Sequence, residues 1–128
     1  MVSDESVTYG KYTAEIIDVE VSENVRFGRY IANVYKPVYS VRVNGSMERK
    51  TVKDNGVFRY KKVEGSLYSA QKNWGYAKFL KTMKTKNINS IVGELVSIEV
   101  YEKTFNNSFS KRVQYPVAKI LNLIEVPF

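Results

Sequence analysis

Apolar and polar positions alternate first in YTAEIIDVEV, where Tyr12, Ala14 and Ile16 share one parity. The alternation then changes phase, because Ile17, Val19 and Val21 continue on the other parity. A strand whose parity switches midway predicts a β-bulge or a sharp coil at the Ile16–Ile17 step. Residues 23–30, ENVRFGRY, read as a loop around Gly28. A long extended run follows, YIANVYKPVYSVRV, and ends at an Asn44-Gly45 turn signal. Pro37 has no N–H to give to a ladder and therefore marks a bulge or an edge. A third extended region, about residues 47–63, is broken by Asp54-Asn55-Gly56, a second turn signal. The three runs read most simply as an antiparallel meander.

The period then lengthens. Tyr76, Phe79, Leu80 and Met83 fall at the spacing of an amphipathic helix stripe. Asn73 is placed to cap that helix, and Lys78, Lys81 and Lys84 lie off the stripe on a solvated face. Trp74, just before it, is expected either to plug one end of the core or to stand exposed as a stacking ring. The final third predicts a hairpin, with Val96, Ile98 and Val100 on one face of GELVSIEVYEK. A two-residue turn at Asn106-Asn107 sets Val100 opposite Val113, Ile98 opposite Tyr115 and Val96 opposite Val117. The other face then pairs Tyr101 with Arg112 and Lys103 with Ser110, leaving Phe105 near the tip.

Composition narrows the chemistry. The 128 residues suit one domain, expected over residues 9–128 after a frayed stretch at 1–8. With 44% hydrophobic residues there is apolar material for a single core. Cysteine and histidine are both absent, which removes disulfides, thiolate nucleophiles, Cys/His metal sites and imidazole bases. The chain is therefore read as a non-enzyme without a cofactor. No apolar run approaches the ~20 residues of a membrane span, and the opening Met-Val-Ser-Asp-Glu lacks signal-peptide order. A cytoplasmic protein with no membrane partner is expected.

Charge and aromatics change the picture further. Residues 1–25 hold Lys11 against six acids, whereas residues 49–86 hold eleven basic residues against two acidic ones, an excess of nine. Ten tyrosines, six phenylalanines and one tryptophan accompany a net charge of +7. Cations beside flat rings are what single-stranded nucleic acid requires: amines neutralise phosphates while unpaired bases stack. Tyr12, Tyr76, Phe79 and Tyr115 lie on apolar faces and are assigned to packing.

Strand order β-β-β-α-β-β, with a coiled first strand, is that of the OB-fold, a five-stranded Greek-key barrel with one helix between strands three and four. Such a barrel binds across strands 2 and 3, flanked by the loops joining strands 1–2 and 4–5. The first loop supplies Arg26, Phe27 and Arg29, with Tyr30 at its end. Strands 2 and 3 supply Tyr35, Tyr39, Arg42, Arg49, Phe58, Arg59, Tyr60, Lys61 and Lys62. The last loop supplies Tyr101, Lys103, Phe105, Phe109, Lys111 and Arg112. Phe58 and Tyr60 share one parity while Arg59 and Lys61 share the other, so one strand face cannot present all four.

YGKYTAEIIDVEV, IANVYKPVYSVRVNG and VGELVSIEVYEKTFNNSFSKRVQYPVAKILNLIEV together resemble phage and mobile-element OB-fold single-stranded DNA-binding proteins. The resemblance covers roughly residues 9–125 as pattern and order. It implies non-specific coating of single-stranded DNA in replication or recombination, in the host cytoplasm if phage-encoded, by a dimer or larger homo-oligomer that meets replication or recombination proteins. The ending Ile-Glu-Val-Pro-Phe is similar to the partner-recruiting tip of bacterial single-stranded DNA-binding proteins, but without the long acidic tail before it. The plainer reading has Pro127 end a strand and Phe128 cover the open barrel end. Alternatives remain: an RNA-binding OB domain, a structural or protein-interaction module of a phage particle or assembly, or an OB-type nuclease built on Asp18 and Glu20.

Overall fold

The computed structural model describes residues 8–42, 47–106 and 112–125, with backbone alone at residues 105, 106, 112 and 113. Its strands are β1 (Gly10–Phe27), β2 (Tyr30–Arg42), β3 (Arg49–Lys53), β4 (Val57–Tyr60), β5 (Leu95–Asn106) and β6 (Arg112–Leu123). One α-helix, α1 (Trp74–Thr82), stands between β4 and β5, with single 3-10 turns at Ala70–Asn73 and Ile88–Ile91. All strand pairs are antiparallel, in the order β3-β2-β1-β5-β6, and β4 also pairs with β2. No helix among the described residues is long and apolar enough to cross a membrane.

The parity switch in β1 is a bulge. Its register on β2 slips between Ile16 and Asp18, so Ile17 has no β2 partner and is 44% exposed. A second slip falls between Ser22 and Val25, beside Asn24 with its φ of 55°. The expected loop at 23–30 is instead strand up to Phe27, a Gly28-Arg29 turn, and strand again from Tyr30. Pairing across that turn, Phe27 with Tyr30, carries the ladder to the end of the hairpin.

The third extended region is two strands on one neighbour. β4 pairs with residues 32–35 of β2 and β3 with residues 38–42, and Pro37 lies opposite the break. In an extended residue the N–H and C=O point the same way. Pro37 O accepts from Asp54 N at 2.9 Å, so its missing N–H also faces the break. Asp54 itself is buried there: its Oδ2 accepts from the Tyr39 hydroxyl at 2.6 Å and its Oδ1 from Gly56 N at 2.9 Å. The following N–H, of Asn55, reaches Ala118 O at 3.2 Å. This contact and one parallel bridge, Asp54 to Ala118, join the two ends of the sheet, which no ladder closes.

The β5–β6 register differs from the expected one. Val100 pairs with Ala118, Ile98 with Ile120 and Val96 with Leu123, while Tyr101 faces Val117 and Lys103 faces Tyr115. The Asn106-Asn107 signal does not set a two-residue turn; pairing stops at Asn106–Arg112, and the connection lies outside the described residues. From Ile98 to Asn106 the shift is five residues, an odd number, so β6 side chains up to Ile120 exchange faces. Beyond the bulge at Ser97–Ile98 it is six, and Asn122 and Leu123 keep theirs. The longer register is favoured because it gives backbone partners to the chain as far as Leu123. Beneath the sheet, Ile16, Tyr39, Val41, Ile91, Val96, Ile98 and Val100 form the centre of the core, and Phe79 and Met83 of the helical stripe seal it.

Burial pushes the Asp54 carboxyl above its ordinary pKa, and the Tyr39 and Gly56 hydrogen bonds pull it part of the way back. A folded-state pKa above the unfolded one gives stability that is present in acid and lost as pH rises through the folded value. Removing the Tyr39 hydroxyl raises that folded value further. Tyr39→Phe is expected to lower stability by about 1–3 kcal/mol near pH 7, and by less near pH 4, in urea denaturation at both pH values. An equal loss at both would mean that the phenol does not stabilise an ionised carboxylate.

Candidate nucleic-acid interface

Cross-strand partners share a sheet face. On β2 the odd residues Tyr35, Tyr39 and Val41 enter the core, so the even residues form the outer face. Following the pairing outwards, Phe27 of β1 and Phe58 and Tyr60 of β4 join Tyr30, Ala32 and Val34 on it. Further along, Lys36 and Arg42 are joined by Arg49 and Lys53 of β3. Rings therefore occupy one end of this face and cations the other. From Tyr30 to Arg42 the strand runs roughly 40 Å if fully extended.

The rings touch one another. Phe27 meets Phe58 edge-on at 5.3 Å between centroids, and Tyr30 meets Tyr60 likewise at 5.8 Å. Phe27 and Phe58 both lie 6.4 Å from Tyr60. Ala32 and Val34 are buried on the same face, yet Phe27 keeps 38% of its surface in water. Gly56, at φ +121°, lets the chain turn where a Cβ would stand 3.4 Å from the Phe58 ring and 3.5 Å from Val34. The Lys72 ammonium lies 4.4 Å from the Tyr30 centroid and 5.3 Å from that of Tyr60. Beside them, Lys62 lies 5.0 Å from the Tyr68 ring.

Asn73 positions this lysine, though not as a helix cap. Its side chain makes no capping bond; its Oδ1 accepts from Tyr60 N at 2.7 Å and its Nδ2 donates to Tyr60 O at 3.1 Å. The amide thus serves the open edge of β4 as a neighbouring strand would. Trp74, one residue on, does not plug the core and is 68% exposed.

A recess of about 310 Å³ lies beside the cationic end, between β3 and the β5–β6 hairpin. Lys36, Lys53, Lys103 and Tyr115 line it. Lys103 Nζ donates to Asn55 Oδ1, which ties the hairpin to the β3–β4 break. Tyr101 stands nearby with Lys119 at 5.7 Å from its ring; burial and then the Asp54 charge push its phenol pKa up.

The expected site residues therefore separate. Phe27, Phe58, Tyr60, Arg42 and Arg49 share the outer face, and Lys103 reaches its margin. Tyr35 and Tyr39 do not: they are 7% and 0% exposed, inside the core, and cannot meet a ligand. Arg26, paired with Ile31, and Arg59, paired with Asn33, point to the opposite face with Lys61. There Arg59 lies 5.5 Å from the Tyr76 ring and Lys61 Nζ donates to Asn24 Oδ1 at 2.8 Å. Arg29 and Lys62 are exposed beside the ring end. Arg49 is partly committed, since its guanidinium donates to Ser40 Oγ at 2.7 Å and to Ser40 O at 3.0 Å. Phe109 and Lys111 lie outside the described residues, as do the side chains of Phe105 and Arg112.

Lys36, Lys53, Lys72 and Tyr68 were not in the expected set. The even parity of Lys36 on β2 was the available signal; Lys72 had none, because it depends on where Asn73 docks. Of the proposed nuclease pair, Asp18 Oδ1 accepts from Val19 N at 2.8 Å, and Glu20 pairs with Lys53 at 3.0 Å. Among the described residues no cluster of acidic side chains could hold a metal ion.

Asn73→Ala should leave the backbone of Tyr60 unpaired and free Lys72 from its rings. The expected loss is about 1–3 kcal/mol in thermal or urea denaturation, with faster amide exchange at Tyr60. Unchanged exchange at Tyr60 would rule out the clamp. Comparison with protein-family models, with curated proteins and with solved structures gives no match for this chain.

Proposed function

We propose that this protein binds single-stranded DNA without chemistry, laying the strand along the outer face of β2. The observation that carries the reading is the ring cluster of Phe27, Tyr30, Phe58 and Tyr60, part-exposed and continuous with Lys36, Lys53, Arg42 and Arg49. Bases stack on the rings, at about 1–3 kcal/mol each, and phosphates meet the amines and guanidinium groups. Duplex DNA hides the base faces, so unpaired strands are preferred. Glu20 and Asp18 make the β1 side of the face acidic, which directs the strand towards β3 and the Lys103 recess.

In this reading the fold is an OB barrel with a broken third strand. The strand order, the helix before β5, and the approach of the sheet ends at Asp54 and Ala118 support it. Coating of exposed strands during replication or recombination, by an oligomer, is the role such a module would fill.

Titration of labelled oligo-dT, oligo-rU and duplex at two salt concentrations tests the proposal. Oligo-dT should bind more tightly than duplex. Three or four neutralised phosphates give a slope of about −2 to −3 in log affinity against log salt. Phe27→Ala with Tyr30→Ala should weaken oligo-dT binding about 30-fold or more, at about 1 kcal/mol per ring. Preference for oligo-rU would transfer the reading to RNA, and salt-independent self-association without nucleic-acid affinity would sink it.

A further inference from the structure

A second cavity adjoins the ring end of the outer face, sharing Phe58 and Lys72 with it. It is a cleft of about 290 Å³ where β4, α1 and β6 converge, just below the ~300–1,000 Å³ usual for small-molecule sites. Its apolar lining includes Val57, Phe58, Tyr76, Phe79 and Ile120. Lys72, Lys78 and Lys119 also line it. Asp54 lines it too, but that carboxylate is held by Tyr39 and Gly56 N. Lys119 is shared with Glu99 at 3.3 Å.

Gly75 supplies an independent observation. It stands in the first turn of α1 with no positive φ, and a Cβ there would meet nothing within 4 Å. Neither backbone geometry nor packing requires glycine, which disfavours a helix by up to about 1 kcal/mol relative to alanine. Its effect is to leave the cleft wall without a side chain.

We infer that this cleft is a nucleotide site: a single base enters over the apolar lining beside Phe58 and Tyr76, and its phosphate is held by Lys72, Lys78 and Lys119. An aromatic ring system carrying an anion matches an apolar floor rimmed by three lysines; a bare anion would leave the floor unused. Among the described residues, Lys72 has only ring contacts, Lys119 has a ring contact and an exposed ion pair to exchange, and Lys78 has no ion-pair partner. Phe58 and Lys72 also belong to the ring cluster, so a nucleotide turned out of a bound strand reaches the cleft without leaving the interface. That source rests on the proposed DNA binding. A free mononucleotide has the same chemistry.

The test is a 15N NMR titration of the whole protein with thymidine 5′-monophosphate, thymidine and inorganic phosphate, in parallel with oligo-dT. Thymidine monophosphate is expected to shift amides at 54–58, 72–82 and 119–120, and to bind at least about tenfold more tightly than thymidine or phosphate alone. Gly75→Phe, which fills the cleft, should abolish those shifts. Gly75→Ala should retain them within about twofold and raise the melting temperature. Lys78→Ala should weaken the mononucleotide about tenfold, the effect of one charge-assisted hydrogen bond.

Binding of oligo-dT that also shifts 72–82, and is weakened by Gly75→Phe, identifies the strand as a source. Mononucleotide shifts without them identify the free nucleotide. Oligo-dT binding with no mononucleotide shift at the cleft overturns the cleft and leaves the outer-face reading standing. Shifts confined to Phe27 and Tyr30 do the same. Absence of binding by any of these probes overturns both.

Discussion

Pro37 lies in the middle of β2, between two strands that both need ladder partners, and it lacks the donor that one of them would use. Its carbonyl accepts from Asp54 N, so the missing donor faces the third extended segment. A continuous strand there would leave a backbone acceptor unpaired in a buried place, at about 1–3 kcal/mol. The chain breaks instead, with β3 ending at Lys53 and β4 beginning at Val57. The turn in the gap buries Asp54, whose oxygens are taken up by Tyr39 and Gly56, and it presents Asn55 N to Ala118 O. One imino acid thus sets the strand break, the buried carboxylate and the approach of the sheet ends.

The break also makes the ring cluster. Because β4 is separate and short, its free edge needs a partner, and Asn73 supplies one with its amide. Docking Asn73 at Tyr60 brings Lys72 over the rings of Tyr30 and Tyr60, and it sets α1 against the inner side, where Tyr76 meets Tyr35 at 5.9 Å. Gly56, at φ +121°, makes the turn from which β4 starts and so sets Phe58 opposite Val34. Outer-face chemistry and inner packing are therefore held by the same few residues.

Much of this was legible in the sequence, and the failures have physical causes. Parity revealed the Ile16–Ile17 bulge, because a half-buried strand writes its register into its pattern. The same rule misled on β2, whose residues 37–41 are all buried and so show no alternation. Tyr35 and Tyr39 could not be told from outward rings on that evidence. At β5–β6 two registers both pair apolar with apolar, and only the count of satisfied backbone groups separates them. For Trp74 the sequence leaves both a core plug and an exposed ring open, and the structure takes the second because the helical stripe begins at Tyr76 and leaves Trp74 outside. The charge excess over residues 49–86 is spread over both faces of the sheet, with Arg49 and Lys53 on one and Arg59 on the other, and which lysine faces rings depends on Asn73.

A lysine over two tyrosines at first sight closes the surface that a base would use. The magnitudes argue the other way. A cation–π contact at an exposed site is worth about 0.5–1 kcal/mol, whereas stacking of a base on an aromatic ring is worth about 1–3. Lys72 is exposed, so its displacement returns the amine to water at little loss. In the proposed complex the displaced amine would then be free to meet the phosphate that arrives with the base. In the free protein the lysine covers part of these rings; in the proposed complex it would neutralise charge. Stacking and phosphate contact there form a single exchange, so truncating Lys72 would lower the salt slope by about 0.7, the share of one phosphate, and leave the rings open to stacking.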